Sequence, residues 1–288
     1  MKTANAKIVW PGKATLGEGP FWDELEQQLY WVDIEGYKLH IFNPDTEENT
    51  SLPFAQHVTA VVKKESGGLL LAMKDGLYSY YRDRLTPYYL HPDGGQTVRF
   101  NDAKCDPDGR LWAGTMAFDG KSKIGSLYLL DQEENTTELL TGLAISNGMA
   151  WDTARGLFYH TETISNTTTV YEYKDNQESL EKKGTIPIDY KQYGGSPDGM
   201  TIDVQGNLWV ALWGGASVIK LNPDTGEVLE RIVVDATNVT SCTFGGGDYR
   251  TLFITTASKE NELNSGALFS CRTDVAGVKS QSYRSLQT

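Results

Sequence analysis

Cysteine is scarce in this chain. Cys105, Cys242 and Cys271 are the only three in 288 residues, widely spaced and never in a Cys-x-x-Cys pair. So small and scattered a set excludes a disulfide framework and a thiolate zinc site, and it fits reduced thiols. Positive charge is also short: 26 lysines and arginines face 38 acidic residues, for a net charge of −12 with no basic cluster. Nucleic acid and anionic membrane surfaces are thereby excluded as partners. No apolar run reaches the length of a bilayer span, and the opening segment MKTANAKIVWPGK has no signal-peptide core. The expected location is cytoplasmic, and the four Asn-x-Ser/Thr sequons, at Asn49, Asn135, Asn166 and Asn238, are read as chance. G-x-S-x-G, P-loop and H-E-x-x-H motifs are missing, which removes several enzyme classes. Nothing carries the sustained 3.6-residue stripe of a long helix.

What the chain does have is glycine (29 residues), aromatics (11%) and a repeat. A leucine leading an aromatic or aliphatic run recurs as LYWVDI, LLLAM, LWAGTM, LFYHTE, LWVALW and LFITTA, at Leu29, Leu69, Leu111, Leu157, Leu208 and Leu252. A second short strand follows most of them, among them KLHIFN, SLYLLD and SVIKLN, with turn clusters such as DPDG and NPDTGE between strands. Six units of roughly 40 to 50 residues, each with about four short strands, describe the blades of a β-propeller. The spacing is too long for β-helix coils, and six similar units suit a ring better than a sandwich. The expectation is an all-β, six-bladed β-propeller with a central channel, one domain over residues 1–288. KIVW near the start is expected to add a strand to the last blade and close the ring.

Ten or eleven residues before each marker leucine stands Glu18, Thr59, Asn101, Asn147, Asp198 and, in the sixth unit, Ser241 or Cys242. In four units an Asp follows five residues later, at Asp23, Asp106, Asp152 and Asp203, where it opens a polar turn. If those aspartates make the hairpin turns, the Asn-Gly of SNGMAWD and the Asp-Gly of SPDGMTID cannot be the same turns. They belong instead at the start of the innermost strand, on the channel rim, where glycine permits close backbone approach. Glu18, Asn147, Asp198, Asn101 and Asp102 then converge at one end of one tunnel. Carboxylates so gathered repel one another unless a cation sits between them. Their all-oxygen donor set suits a hard divalent ion such as calcium, magnesium or manganese. A solvated ring of polar residues lining a wet channel is the other reading of the same spacing. The histidines, His40, His57, His91 and His160, fall outside the repeat position and are expected to be ordinary polar or partly buried side chains.

LGEGPFWD, RFNDAKCDPDGRLWAGTM, ISNGMAWD, SPDGMTIDVQGNLWVALWGG and TSCTFGG occur in this order. Together they resemble the senescence-marker-protein (regucalcin), gluconolactonase and luciferin-regenerating-enzyme family across essentially the whole chain. The resemblance implies a six-bladed propeller binding one divalent metal, calcium first and zinc, magnesium, manganese or iron as alternatives, and hydrolysis of a sugar lactone. It implies Glu18, Asn147 and Asp198 as metal ligands, Asp198 as general base with Asp102 as a second candidate, and Arg99, Asn101 and Asp102 as substrate-binding residues. Two departures bear on substrate identity. FDGKSKIG is short and basic where animal members carry a longer loop with a substrate-facing Glu, so Lys121 or Lys123 can cover the pocket instead. Glu162 stands where relatives often have Asp.

A lactone is a cyclic ester, and its opening needs a polarised carbonyl, an attacking water and a path for protons. A mouth rich in Asn, Asp and Arg suits a polyhydroxylated substrate. A non-catalytic calcium-binding or regulatory propeller, a propeller used as an interaction platform, and a hydrolase of other esters or organophosphates are the competing expectations.

Overall fold

A computed structural model of the chain describes residues 1–174 and 179–286. Short runs of alternating or wholly apolar residues separated by Asx turns favour strands over helices. Among the described residues 25 strands form, with a single short 3-10 turn at Tyr190–Tyr193. They assemble into six sheets, each meandering outward from one innermost strand. The innermost strands are Gly17–Asp23, Val58–Lys63, Val98–Cys105, Ser146–Asp152, Ser196–Ile202 and Val239–Gly245. This is a six-bladed β-propeller, as the leucine repeat implies, and each marker leucine is the first or second residue of the second strand of its blade. Among the described residues no helix is long and apolar enough to cross a membrane.

Ring closure takes two segments from the start of the chain. Lys7–Trp10, the predicted KIVW strand, pairs antiparallel with Leu268–Arg272 as the outer strand of the sixth blade. Lys2–Asn5 pairs parallel with Val228–Val233 as a fifth strand of the blade before it, which no repeat in the sequence signals. Two neighbouring blades are thus stitched to one N-terminal segment, covering sheet edges that would otherwise stay open.

The predicted turn aspartates do make the hairpin turns. Asp106 Oδ1 accepts the backbone N–H of Asp108 and Arg110 at 3.0 and 2.9 Å. Asp203 Oδ1 accepts those of Gln205 and Asn207 at 2.9 and 3.0 Å. Asp23 and Asp152 make the same kind of turn through Leu25 and Arg155. Each of these sheltered carboxylates meets a cation: Lys63 at 2.7 Å from Asp23, Arg110 at 2.7 Å from Asp106, Arg155 at 2.7 Å from Asp152, and Lys220 at 2.8 Å from Asp203. Asp106 and Asp203 also accept the indole N–H of Trp112 and Trp209, so the turn is anchored on the core of its own blade.

The last segment of the chain crosses the face that carries these turns. Val278 N–H donates to Ile202 O, Tyr283 N–H to Lys63 O, Arg284 N–H to Gly109 O and Leu286 N–H to Gln132 O, at 2.7–3.0 Å. Tyr283 is fully buried, and its hydroxyl donates to Asp131 O at 2.7 Å. Val278 and Ser280 of this strap line one end of a channel cavity of about 180 Å³ that reaches Lys104, Ser241 and Asp102.

Candidate active site

Every innermost strand carries a β-bulge near its start, on the face away from the strap. The register shifts between Glu18 and Phe21, Val58 and Ala60, Phe100 and Ala103, Ser146 and Met149, Pro197 and Met200, and Val239 and Ser241. A bulge re-aims side chains that a regular ladder would point into the sheet. In the fourth and fifth blades the bulged pairs are Asn147–Gly148 and Asp198–Gly199, the two near-identical motifs of the sequence. The glycines let the strands touch: a Cβ on Gly148 would lie 2.5 Å from Asp198 O, and one on Gly199 would lie 2.1 Å from Ser241 Oγ. Gly19, at φ +52°, plays this part beside Glu18, its would-be Cβ 3.3 Å from Ala60 Cα.

The bulge in the sixth blade falls at Thr240, one residue before Ser241 and two before Cys242, the expected positions. Thr240 Oγ1 is spent on Gly17 O at 2.6 Å and on Thr255 Oγ1 at 2.8 Å. Thr59 in the second blade likewise turns its hydroxyl to Ala72 O. Four blades therefore offer acidic or amide groups to the channel and two do not.

Glu18, Arg99, Asn101, Asp102, Asn147 and Asp198 are all at most 8% exposed. Asn147 Nδ2 donates to Asp198 Oδ1 and, at 3.1 Å, to Thr163 Oγ1, whose hydroxyl in turn donates to Pro197 O at 2.9 Å. That fixes the amide's orientation and leaves Asn147 Oδ1 buried with no hydrogen-bond partner. Glu18 Oε2 accepts the N–H of Gly19 at 2.8 Å. Burial, with the nearby charges of Asp198 and Asp102, holds the Glu18 carboxyl well above the ordinary carboxylate range. Burial and Asp102 do the same to Asp198, against the opposing hydrogen bonds of Asn147 and Gly199. Asp102 is raised by burial, with the Lys104 ammonium pulling the other way.

Among the described residues no three His, Cys, Asp or Glu side chains gather closely enough to make a metal centre by themselves. The set here is different in kind: two carboxylates and an amide oxygen, with a third carboxylate close enough to repel both. A buried acceptor with no donor, beside carboxylates burdened by mutual repulsion, is an environment that a cation relieves. Glu18, Asn147 and Asp198 therefore fit a divalent ion.

Arg99 and Asn101 are more committed than the sequence suggests. Arg99 Nη1 donates to Phe100 O and Asn101 Oδ1, both at 2.9 Å, and Asn101 Nδ2 donates to Ser146 O at 2.9 Å. Asn101 thus ties the third blade to the fourth. Burial lowers the Arg99 guanidinium from its ordinary value, and the carboxylates of Glu35 and Glu18 oppose that effect. Lys121 and Lys123 are exposed, on a turn organised by Asp119, which accepts the N–H groups of Lys121 and Ser122. Glu162 caps the next turn through Ile145 and Ser165.

Other residues were not marked by the repeat. Beside Arg99, loops of the first three blades bring Glu35 to 3.3 Å from His57 Nε2, with the Tyr37 ring 4.7 Å and the Phe118 ring 6.1 Å from the His57 ring. They lie in connectors of no fixed spacing. Lys104, half-buried and lining the channel cavity, was readable in principle, because it follows Asp102 by two residues on the same strand. His40 stacks on Trp31, His160 bonds Ser146 Oγ at 2.8 Å, and His91 pairs with Asp93.

Residues 16–258 match the SMP-30/Gluconolactonase/LRE-like region. YvrE of Bacillus subtilis (strain 168), named as a sugar lactone lactonase, is 41% identical over 93% of this chain and 94% of its own. The pentonolactonase XacC of Haloferax volcanii is 35% identical over 91% and 89%. Among solved structures, a luciferin-regenerating enzyme superposes with a TM-score of 0.91 at 26% identity, covering 97% of this chain and 98% of that one.

Proposed function

The chain belongs to the SMP-30/gluconolactonase/LRE-like family and is a carboxylic-ester hydrolase. From that premise we propose that it opens a sugar lactone to the aldonic acid, with a divalent cation held by Glu18, Asn147 and Asp198. The buried, unpartnered Asn147 Oδ1 beside two mutually repelling carboxylates carries the reading. The all-oxygen set favours calcium, with magnesium, manganese, zinc or iron as alternatives. A cation bound there supplies Lewis acidity toward the lactone carbonyl oxygen.

The residues of the chain supply the rest. Asp198, oriented by the Asn147 amide, accepts a proton from the attacking water as its oxygen bonds to the carbonyl carbon. When the ring C–O bond breaks, that proton passes to the departing ring oxygen, which leaves as a hydroxyl. Asp102, buried beside Lys104, is the second candidate base. Arg99, its guanidinium held by Phe100 O and Asn101, orients the substrate at the mouth together with Asn101.

The test is lactone opening across aldonolactones of five and six carbons, after chelation and after return of calcium. Activity lost on chelation, restored by the ion and abolished in Asp198→Ala supports the assignment. Full activity in Asp198→Ala or Glu18→Gln would sink it. Calcium binding without turnover of any lactone would return the protein to the non-catalytic, calcium-binding reading.

A further inference from the structure

Lys104 is half-buried on the innermost strand Val98–Cys105, two residues beyond Asp102, and lines the channel cavity. Its ammonium donates to Met149 O at 3.1 Å and to Met200 O at 2.5 Å. Those carbonyls are not arbitrary. Met149 follows Asn147 by two residues and Met200 follows Asp198 by two, each just past the bulge that turns its candidate ligand inward. One side chain from the third blade therefore grips the fourth and fifth blades at matching points. The two gripped strands also touch at Gly148, whose would-be Cβ lies 2.5 Å from Asp198 O and 2.9 Å from Met200 N. Burying an ammonium is costly unless its donors are used, and here they are used on the seam between two strands.

We propose that Lys104 is a positioning residue that sets the separation of Asn147 and Asp198 by cross-linking the backbones behind them. The proposal rests on the cation site described above. Another role for the Lys104 ammonium is plain counter-charge to Asp102, and the two roles predict opposite signs. A clamp, when removed, loosens the site and weakens cation binding. A counter-charge, when removed, takes a positive group away from the incoming cation and strengthens binding.

The experiment is calcium titration calorimetry on the full chain stripped of metal, comparing wild type, Lys104→Met, Lys104→Arg and Asp198→Ala. Lys104→Met is expected to bind calcium about 10- to 100-fold more weakly, the usual effect of losing a residue that orients ligands. Lys104→Arg is expected to recover part of the affinity, since the channel cavity beside Lys104 leaves room for a guanidinium that keeps donors and charge. A purely structural lysine would lower the melting temperature and leave affinity alone. If Lys104→Met does not fold, Lys104→Gln reads the same sign, because it too removes the charge and shortens the reach to the carbonyls. Affinity unchanged or tightened in the neutral variant overturns the proposal, while loss of binding in Asp198→Ala leaves the cation site standing. Undiminished binding in Asp198→Ala overturns the site itself and the clamp with it.

Discussion

Asp198→Asn is expected to destroy activity and, in the absence of metal, to make the protein more stable. The substitution keeps the carbonyl oxygen that accepts from Asn147 and removes one of three buried carboxylates that repel each other. Two like charges a few ångström apart in an effective dielectric of about 20 repel by a few kcal/mol. Protonation already relieves part of that, so a gain of about 1–3 kcal/mol is expected near neutral pH. At about 2 °C per kcal/mol for a chain of this size, the melting temperature rises by roughly 2–6 °C. The pH dependence follows from the direction of the shift. A carboxyl raised in the folded state contributes stability below its ordinary value and loses it as pH rises toward the raised one, so the advantage of Asp198→Asn widens as pH rises above the ordinary carboxylate range. Calcium works in the opposite direction. At one hundred times its dissociation constant it adds about 2.7 kcal/mol to the wild type and little to the variant. The assay is thermal unfolding by circular dichroism, in chelator and in calcium. A variant that melts below wild type in chelator, or an equal calcium shift in both proteins, refutes the reasoning.

Two further outcomes test the frame around the site. Tyr283→Ala removes the buried anchor of the C-terminal strap and is expected to cost about 3–5 kcal/mol, with Tyr283→Phe costing about 1 kcal/mol for the bond to Asp131 O; denaturant melts showing no change would mean that the strap does not support the ring. Burial lowers His160 to about 4, against an unfolded value near 6.5. Its contribution is intact above about pH 6.5 and is lost as pH falls toward 4, by up to about 3 kcal/mol. Parallel acid melts of wild type and His160→Gln in chelator should diverge over that window, and superimposable curves would refute the assignment.

The fold was legible because its signals are local. A leucine before an aromatic run and an Asp that accepts N–H groups two to four residues on are both short-range patterns, and repetition turned them into six blades. The rim position was legible for the same reason, since Asn147 and Asp198 occupy one place in one frame. Less legible were the features that depend on pairing between strands. Thr240, not Ser241 or Cys242, takes the sixth bulge because a two-for-one register shift is decided by the partner strand and does not appear as a spacing. Lys2–Asn5 runs parallel to Val228–Val233, more than two hundred residues away, with nothing periodic to announce it.

Lys104 shows where the boundary falls. Alternation along its strand puts it on the same face as Asp102, and that much could be read directly. Its acceptors lie 45 and 96 residues downstream and are backbone carbonyls, which every residue has and no sequence pattern distinguishes. A repeat therefore reveals which side chains differ at equivalent positions, as Asn147 and Asp198 do. It is silent about what holds those positions at a working distance, because in a ring the holding group comes from a different blade. Where identical frames carry different ligands, the residue to look for next is the one whose side chain reaches both frames at the same offset.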